Sequence, residues 1–182
     1  GVAPWANDPV NQPDTSDLGQ WFAAVAEDLD EAIWSHQADD QIWTSSKRMD
    51  TAEFWMRRMT QEVEMHRWDI EAAYGESQAI RPQMAIDGID EFYDFFVAER
   101  LSEAFAGEGS VHLHATDAEG EWMITRNATG VFVEKKHGKG DVAARGTASD
   151  LLLFVWNRQS YSTLETFGNT ELLDDHQRLL QV

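Results

Sequence analysis

The 182 residues contain no cysteine. That excludes a disulfide framework, a thiolate zinc site and a nucleophilic thiol supplied by the chain itself, and it fits a reducing, cytoplasmic setting. Basic residues are scarce: 14 Lys and Arg stand against 33 Asp and Glu, for a net charge of −19. So anionic a chain lacks the cationic footprint that a phosphate backbone requires, and no nucleic-acid partner is expected. Long hydrophobic runs are missing as well. The opening "GVAPWANDPVNQP" lacks the basic-then-apolar form of an export signal, so no membrane partner is expected. Only four prolines occur, three of them within residues 1–15, which read as an arm.

What is present is apolar residues at 42%, enough for one large domain or two small ones. The charge is uneven. Residues 1–110 carry 23 acids and 7 bases, net −16, whereas residues 111–182 carry 10 and 7, net −3. The acidic part reads as a solvated helical surface.

Hydrophobic spacing divides the chain in the same place. Ser16 or Asp17 can cap a helix over 17–35, with Leu18, Trp21, Phe22, Val25, Leu29 and Ile33 in one stripe. Residues 36–50 form a loop. Asp50 and Glu53 have the form of a capping box for a second helix over 51–74, with Gly75 at its C-terminal end. Phe54, Met59, Val63, Ile70 and Ala73 are its expected buried side. A third helix is expected over 84–105. The period then changes to two: "VHLHATD" (111–117), "EWMITRN" (121–127), "VFVEKKH" (131–137) and "VAARG" (142–146) read as four strands of an antiparallel meander. Thr147 or Ser149 can cap a buried helix in "DLLLFVWNR", "Phe167-Gly168" lies in a loop, and a last helix starts near Asn169-Thr170. The fold class is α+β, with a helical part over 1–106 and a sheet-containing part over 107–182.

Chemistry concentrates in "QEVEMHRWDIE" (61–71). Glu62, His66 and Asp69 stand at i, i+4 and i+7, on one face of the second helix. A carboxylate and an imidazole one turn apart can hold one zinc-like ion. The same spacing also suits an ordinary exposed charge-assisted pair. His112 and His114 point to one side of a strand and could form a metal pair, although cross-strand hydrogen bonding is the preferred reading. Lys135, Lys136, His137 and Lys139 form a local cationic patch, most simply a solvated strand end. Trp68 suits a pocket wall. No phosphate-binding glycine loop and no serine–histidine triad can be assembled.

The run "EVEMHRWD" resembles the signature of the mycothiol-dependent maleylpyruvate isomerase family of actinobacteria. "FWMRRMTQE" before it, and "VHLHATDAEGEW", "HGKGDVAARGTASDLLLFVWNR" and "LETFGNTELL" after it, follow in the family's order. The resemblance covers most of residues 50–182. It implies a partial DinB-like metal-binding bundle followed by a C-terminal domain similar to sterol carrier protein 2, with an antiparallel sheet.

By that resemblance Glu62 and His66 match two of three zinc ligands, and Asp69 an active-site acid. Arg145 matches an active-site arginine that would hold a substrate carboxylate or the cofactor, with Trp68 beside the cofactor. The implied cofactors are zinc and mycothiol, and the implied partner is a small unsaturated carboxylate. The family's third ligand, a histidine on an earlier helix, has no counterpart here. His36 stands in no matching motif, and Gln61 occupies a position where many relatives carry another histidine. The expectation is that the missing helices lie upstream of Gly1 or that the chain is a shortened relative. Helices 17–35 and 51–74 would then expose apolar faces, which predicts a homodimer. The alternative function is a non-catalytic lipid or small-molecule binding module, or an interaction protein, with a degenerate metal site.

Overall fold

The computed structural model describes residues 15–101 and 107–179. The proline-rich arm before residue 15, the end of the third predicted helix, the boundary at residue 106 and Leu180 lie outside the described residues. No helix among those described is long and apolar enough to cross a membrane. The described residues fall into two compact units. One takes the chain up to Ser45 together with Met49–Arg57. The other takes Ser46–Arg48 and the chain from Arg58 onward.

In the first unit, helix α1 spans Leu18–Trp34, as its apolar spacing requires. Its stripe is nonetheless exposed: Leu18, Trp21, Phe22, Val25 and Leu29 all meet solvent, Phe22 with 66% of its surface. The following loop is tied by the Gln41–Thr51 bridge and by the Ile42 N–H donating to the Asp50 carbonyl at 2.9 Å. Helix α2 spans Ala52–Ala73 and runs from the first unit into the second. The expected capping box is replaced: the Glu53 N–H donates to the Ala38 carbonyl at 2.9 Å. Gly75, at φ 73°, ends α2 as expected, because its left-handed backbone carries no Cβ penalty.

The buried side of α2 corrects the sequence reading. Val63 and Ile70 are exposed, whereas Arg58, Gln61 and Met65 are buried. Arg58 and Gln61 tolerate burial because both are hydrogen-bonded, Gln61 donating to Asp87 at 2.7 Å. After α2 come α3, Pro82–Glu91, and a π-helical stretch, Phe92–Leu101. The wider i→i+5 turn sets Phe92, Tyr93, Phe95, Phe96 and Val97 all inside, with Asp94 exposed between them.

The strands are β1 (Gly109–Ala115), β2 (Glu121–Asn127), β3 (Gly130–Glu134), β4 (Val142–Gly146) and β5 (Glu165–Gly168). Among the described residues they form one sheet in the order β3-β2-β1-β4-β5. The fold is α+β. The expected meander holds for β1–β2–β3. However, β4 pairs parallel to β1, and "ETFG" is a fifth strand rather than a loop. The physical reason is burial. Val142 and Ala144 of β4 are fully buried, which suits a central strand, whereas β3 is half-open along its length. Residues 135–141 therefore cross one face of the sheet instead of turning back at its edge.

Helices α4 (Ala148–Val155) and α5 (Glu171–Leu179) pack on the other face, against Val111, Leu113 and Ala144. Thr147 caps α4, its Oγ1 accepting from the Asp150 N–H at 3.1 Å. Leu151, Leu152, Leu153, Phe154 and Val155 are all buried, each stabilising by about 1.5–3 kcal/mol.

Candidate functional site

Helix α2 carries Glu62, His66 and Asp69 in one line, as the spacing predicts. His66 bridges the two acids. Its Nδ1 lies 3.0 Å from Asp69 Oδ2 and its Nε2 3.2 Å from Glu62 Oε2. With the Nδ1–H donated to Asp69, the Nε2 lone pair faces a carboxylate oxygen. That pairing of acceptors suits a cation between them.

Two arginines hold the ends of this line. Arg58, buried, donates to Glu62 at 2.6 Å and also to the buried Glu91. Arg158, just past α4, forks onto Asp69 with two hydrogen bonds of 3.1 and 3.0 Å. The indole of Trp156 lies within reach of both guanidiniums, 5.6 Å from that of Arg58 and 5.9 Å from that of Arg158. Hydrogen bonding from Arg158 holds the Asp69 carboxyl below the usual carboxylate range. Partial burial opposes that shift, and the charges of Arg158 and His66 reinforce it.

The other predicted residues are placed apart from this cluster. Arg145 stands on β4, on the sheet face opposite α4, and pairs with Glu165 of β5 at 3.0 Å. Its register neighbour on β1 is His114. The structure thus ties Asp69 to Arg158 and Arg145 to Glu165, and does not bring Asp69 and Arg145 together. Trp68 is half-buried on α2. Gln61 reaches Asp87. His36, in the first unit, bonds Asp40 at 3.1 Å.

His112 makes the cross-strand hydrogen bond expected of it, to Glu121, and His114 Nδ1 lies 3.2 Å from the same carboxylate. The same glutamate also receives His137, so this residue is not part of a merely solvated patch. Arg58 and Arg158 were likewise missed. The signal for Arg158 was its position three residues beyond the apolar run Leu151–Val155, where an arginine can fold back on a neighbouring acid.

The donor set on α2 fits a zinc ion in kind and is half-complete in number. A four-coordinate site takes an imidazole and a carboxylate readily, and Glu62 and His66 supply one of each.

Residues 83–175 match the family model described as the MDMPI C-terminal domain, and residues 4–71 match the mycothiol maleylpyruvate isomerase N-terminal domain. No curated protein matches the chain. Among solved structures, the chain is similar to the stereoselective inverting sec-alkylsulfatase from Pseudomonas sp. The identity is 17% and the TM-score 0.42, over 57% of this chain and 17% of that one. It is similar to a UbiJ-SCP2 ubiquinone synthesis protein at 16% identity and a TM-score of 0.40, covering 54% of this chain and 94% of the other. The sterol carrier protein domain 2 of Helicoverpa armigera gives 19% identity and a TM-score of 0.35, covering 57% and 94%. The family model of the C-terminal domain alone spans half of the sequence, and the N-terminal model takes in Glu62, His66 and Asp69: the chain belongs to the mycothiol maleylpyruvate isomerase family.

Proposed function

We propose that the chain serves a cytoplasmic, thiol-dependent isomerase or S-transferase acting on a small unsaturated carboxylate, with mycothiol as the thiol. The observation that carries this reading is the Glu62–His66–Asp69 line, held at both ends by arginine, inside the stretch matched by the N-terminal family model. Glu62 and His66 would supply two ligands to zinc. No third protein ligand to such an ion stands beside them among the described residues. When bound, zinc supplies the Lewis acidity that lowers the pKa of a coordinated thiol toward neutrality.

The chain's own residues do the rest. Arg58 fixes the Glu62 carboxylate. Asp69, kept ionised by Arg158, accepts the Nδ1 proton of His66 and so presents the Nε2 lone pair to a cation. Arg145, 43% exposed, can exchange Glu165 for a substrate carboxylate. Because the chain has no cysteine, the thiol must come from elsewhere. Reversible thiol addition across a cis double bond, rotation about the resulting single bond and elimination give the trans isomer. Self-association through the exposed α1 stripe belongs to the same proposal, and ultracentrifugation at micromolar concentration reads it.

The test is conversion of maleylpyruvate to fumarylpyruvate by the protein with zinc and mycothiol. His66→Ala is expected to lower kcat at least ~100-fold, and Arg145→Gln to raise KM. Turnover that survives His66→Ala, or that needs no thiol, would refute the proposal. A non-catalytic binding module is the second reading. It is favoured by the separate pairing of Asp69 and Arg145, and absence of turnover with zinc and thiol would select it.

A further inference from the structure

On β1, His112 and His114 alternate with Val111, Leu113 and Ala115, which are buried against the helices. Both imidazoles therefore rise from the opposite face. The β1–β2 register sets Glu121 across from His114 on that face. A third imidazole comes from the crossover between β3 and β4.

Two glycines let that crossover lie flat on the sheet. A Cβ at Gly138 would stand 2.7 Å from Met123 Cε, and one at Gly140 would stand 2.8 Å from the Val142 carbonyl oxygen and 3.1 Å from the His112 nitrogen. The crossover is fastened at both ends. Lys135 Nζ lies 2.6 Å from Asp90, and Asp141 accepts from the Ser110 N–H and hydroxyl at 2.8 Å each. His137 is thereby held over His112 and His114.

The three rings stand nearly perpendicular to one another, with centroids 5.5 to 6.4 Å apart. Their nitrogens, rather than their faces, converge. His112 Nε2 and His137 Nδ1 lie 3.0 and 2.8 Å from Glu121 Oε2, and His114 Nδ1 lies 3.2 Å from Oε1. One donor atom from each of the four side chains falls within 4.8 Å of all the others. A tetrahedral zinc ion with bonds of about 2.0–2.1 Å sets its ligands roughly 3.4 Å apart. Bringing donor atoms that lie within 4.8 Å of one another to that spacing takes at most about 1.4 Å of adjustment, which His137, 80% exposed, is free to make.

We propose that His112, His114, Glu121 and His137 form a second metal site, taking a divalent transition-metal ion of the imidazole-preferring kind represented by zinc, through three nitrogens and one oxygen. Four protein ligands make the site closed and structural. Its effect is to staple residues 135–141 onto β1 and β2, beside a cavity of about 610 Å³ lined by Asp90, Trp122 and Lys135. The site shares no residue with the α2 line and does not depend on the activity proposed above.

Zinc alone is titrated calorimetrically into the chain, and cobalt is followed by its visible absorption. Expected are one tight site, in the micromolar range or below, and the intense bands of tetrahedral cobalt. His137→Ala, at an exposed position that leaves the fold intact, is expected to weaken zinc at least roughly 100-fold and to erase those bands. The Glu62→Gln/His66→Ala double variant is expected to leave the tight site within about twofold of wild type. Zinc should also protect Lys135, Lys136 and Lys139 from trypsin in the wild type and not in His137→Ala. Failure to bind zinc, binding that survives His137→Ala, or binding lost in the α2 double variant overturns the assignment.

Discussion

Replacing Arg58 by methionine removes the guanidinium that anchors Glu62 while keeping most of the side-chain length. Arg58 and Glu91 are only 5% and 3% exposed, so the ion pair between them is screened by protein rather than water. Removing one partner of such a pair costs about 3–5 kcal/mol, since the remaining carboxylate stays buried without its cation. The Glu62 arm, on a carboxylate 39% exposed, contributes less than about 1 kcal/mol. The guanidinium's contacts with the Phe96 and Trp156 rings, at 5.2 and 5.6 Å, add a similar amount. The expected loss is about 4 kcal/mol. With a slope of about 2 kcal/mol per molar urea, the midpoint falls by about 2 M. Tryptophan fluorescence reads the transition directly, since Trp156 lies against Arg58. The Arg58→Met/Glu91→Met double variant removes both charges and should recover most of the loss. A single variant within 1 kcal/mol of wild type, or a double variant as unstable as the single, would refute the buried-pair account.

Three further outcomes are expected. His176 is wholly buried, its Nε2 3.0 Å from the Tyr93 hydroxyl, and desolvation, aided by the charge of Arg126, lowers its pKa to about 3. The folded state thus refuses a proton that the unfolded chain accepts near 6.5, so stability is full above pH 6.5 and falls as pH drops toward 3. At pH 5 the loss is about 2 kcal/mol, seen as the difference in urea midpoint between wild type and His176→Leu/Tyr93→Phe; identical pH profiles would show that His176 is not the cause. Gly140→Ala should lift the crossover off β1 at a cost of about 1–3 kcal/mol, and unchanged thermal unfolding would contradict the close approach to Val142 and His112. Arg158→Gln should raise the Asp69 pKa toward its ordinary value, followed by carboxyl NMR; an unshifted titration would mean that Arg158 does not hold this acid.

Much of this architecture was legible in the sequence because apolar spacing reports the period of each element and capping residues mark its ends. Helix α1, the alternation of β1 and β2, the Thr147 cap and the glycine at 75 all lie where those signals put them, although the α1 stripe itself is exposed. The face of α2 was not legible, since Arg58 and Gln61 are buried by virtue of hydrogen bonds that no hydropathy pattern encodes. The parallel β1–β4 pair was hidden for a related reason: "VFVEKKH" reads as one strand and "GKGD" as a turn, whereas β3 ends at Glu134 and the full burial of Val142 and Ala144 fits a chain that has crossed to the far side of β1. The line Glu62–His66–Asp69 follows from helix geometry and was readable at once. The histidine cluster was half-readable. His112 and His114 share a face by alternation, but Glu121 and His137 join them through strand register and a crossover, neither of which local spacing can fix.

The position of β1 has a consequence for the order in which the sheet can be assembled. It is the central strand, yet both of its neighbours follow it in the chain. A polypeptide growing from its N-terminus can form the β1–β2–β3 meander early, through short-range pairing. Until Val142 emerges, the other side of β1 remains an open row of hydrogen-bonding groups next to the apolar side chains of Val111 and Leu113. A nascent chain paused in that interval displays its future core as a sticky edge, and any premature stop before β4 leaves a fragment prone to pairing with its own copies.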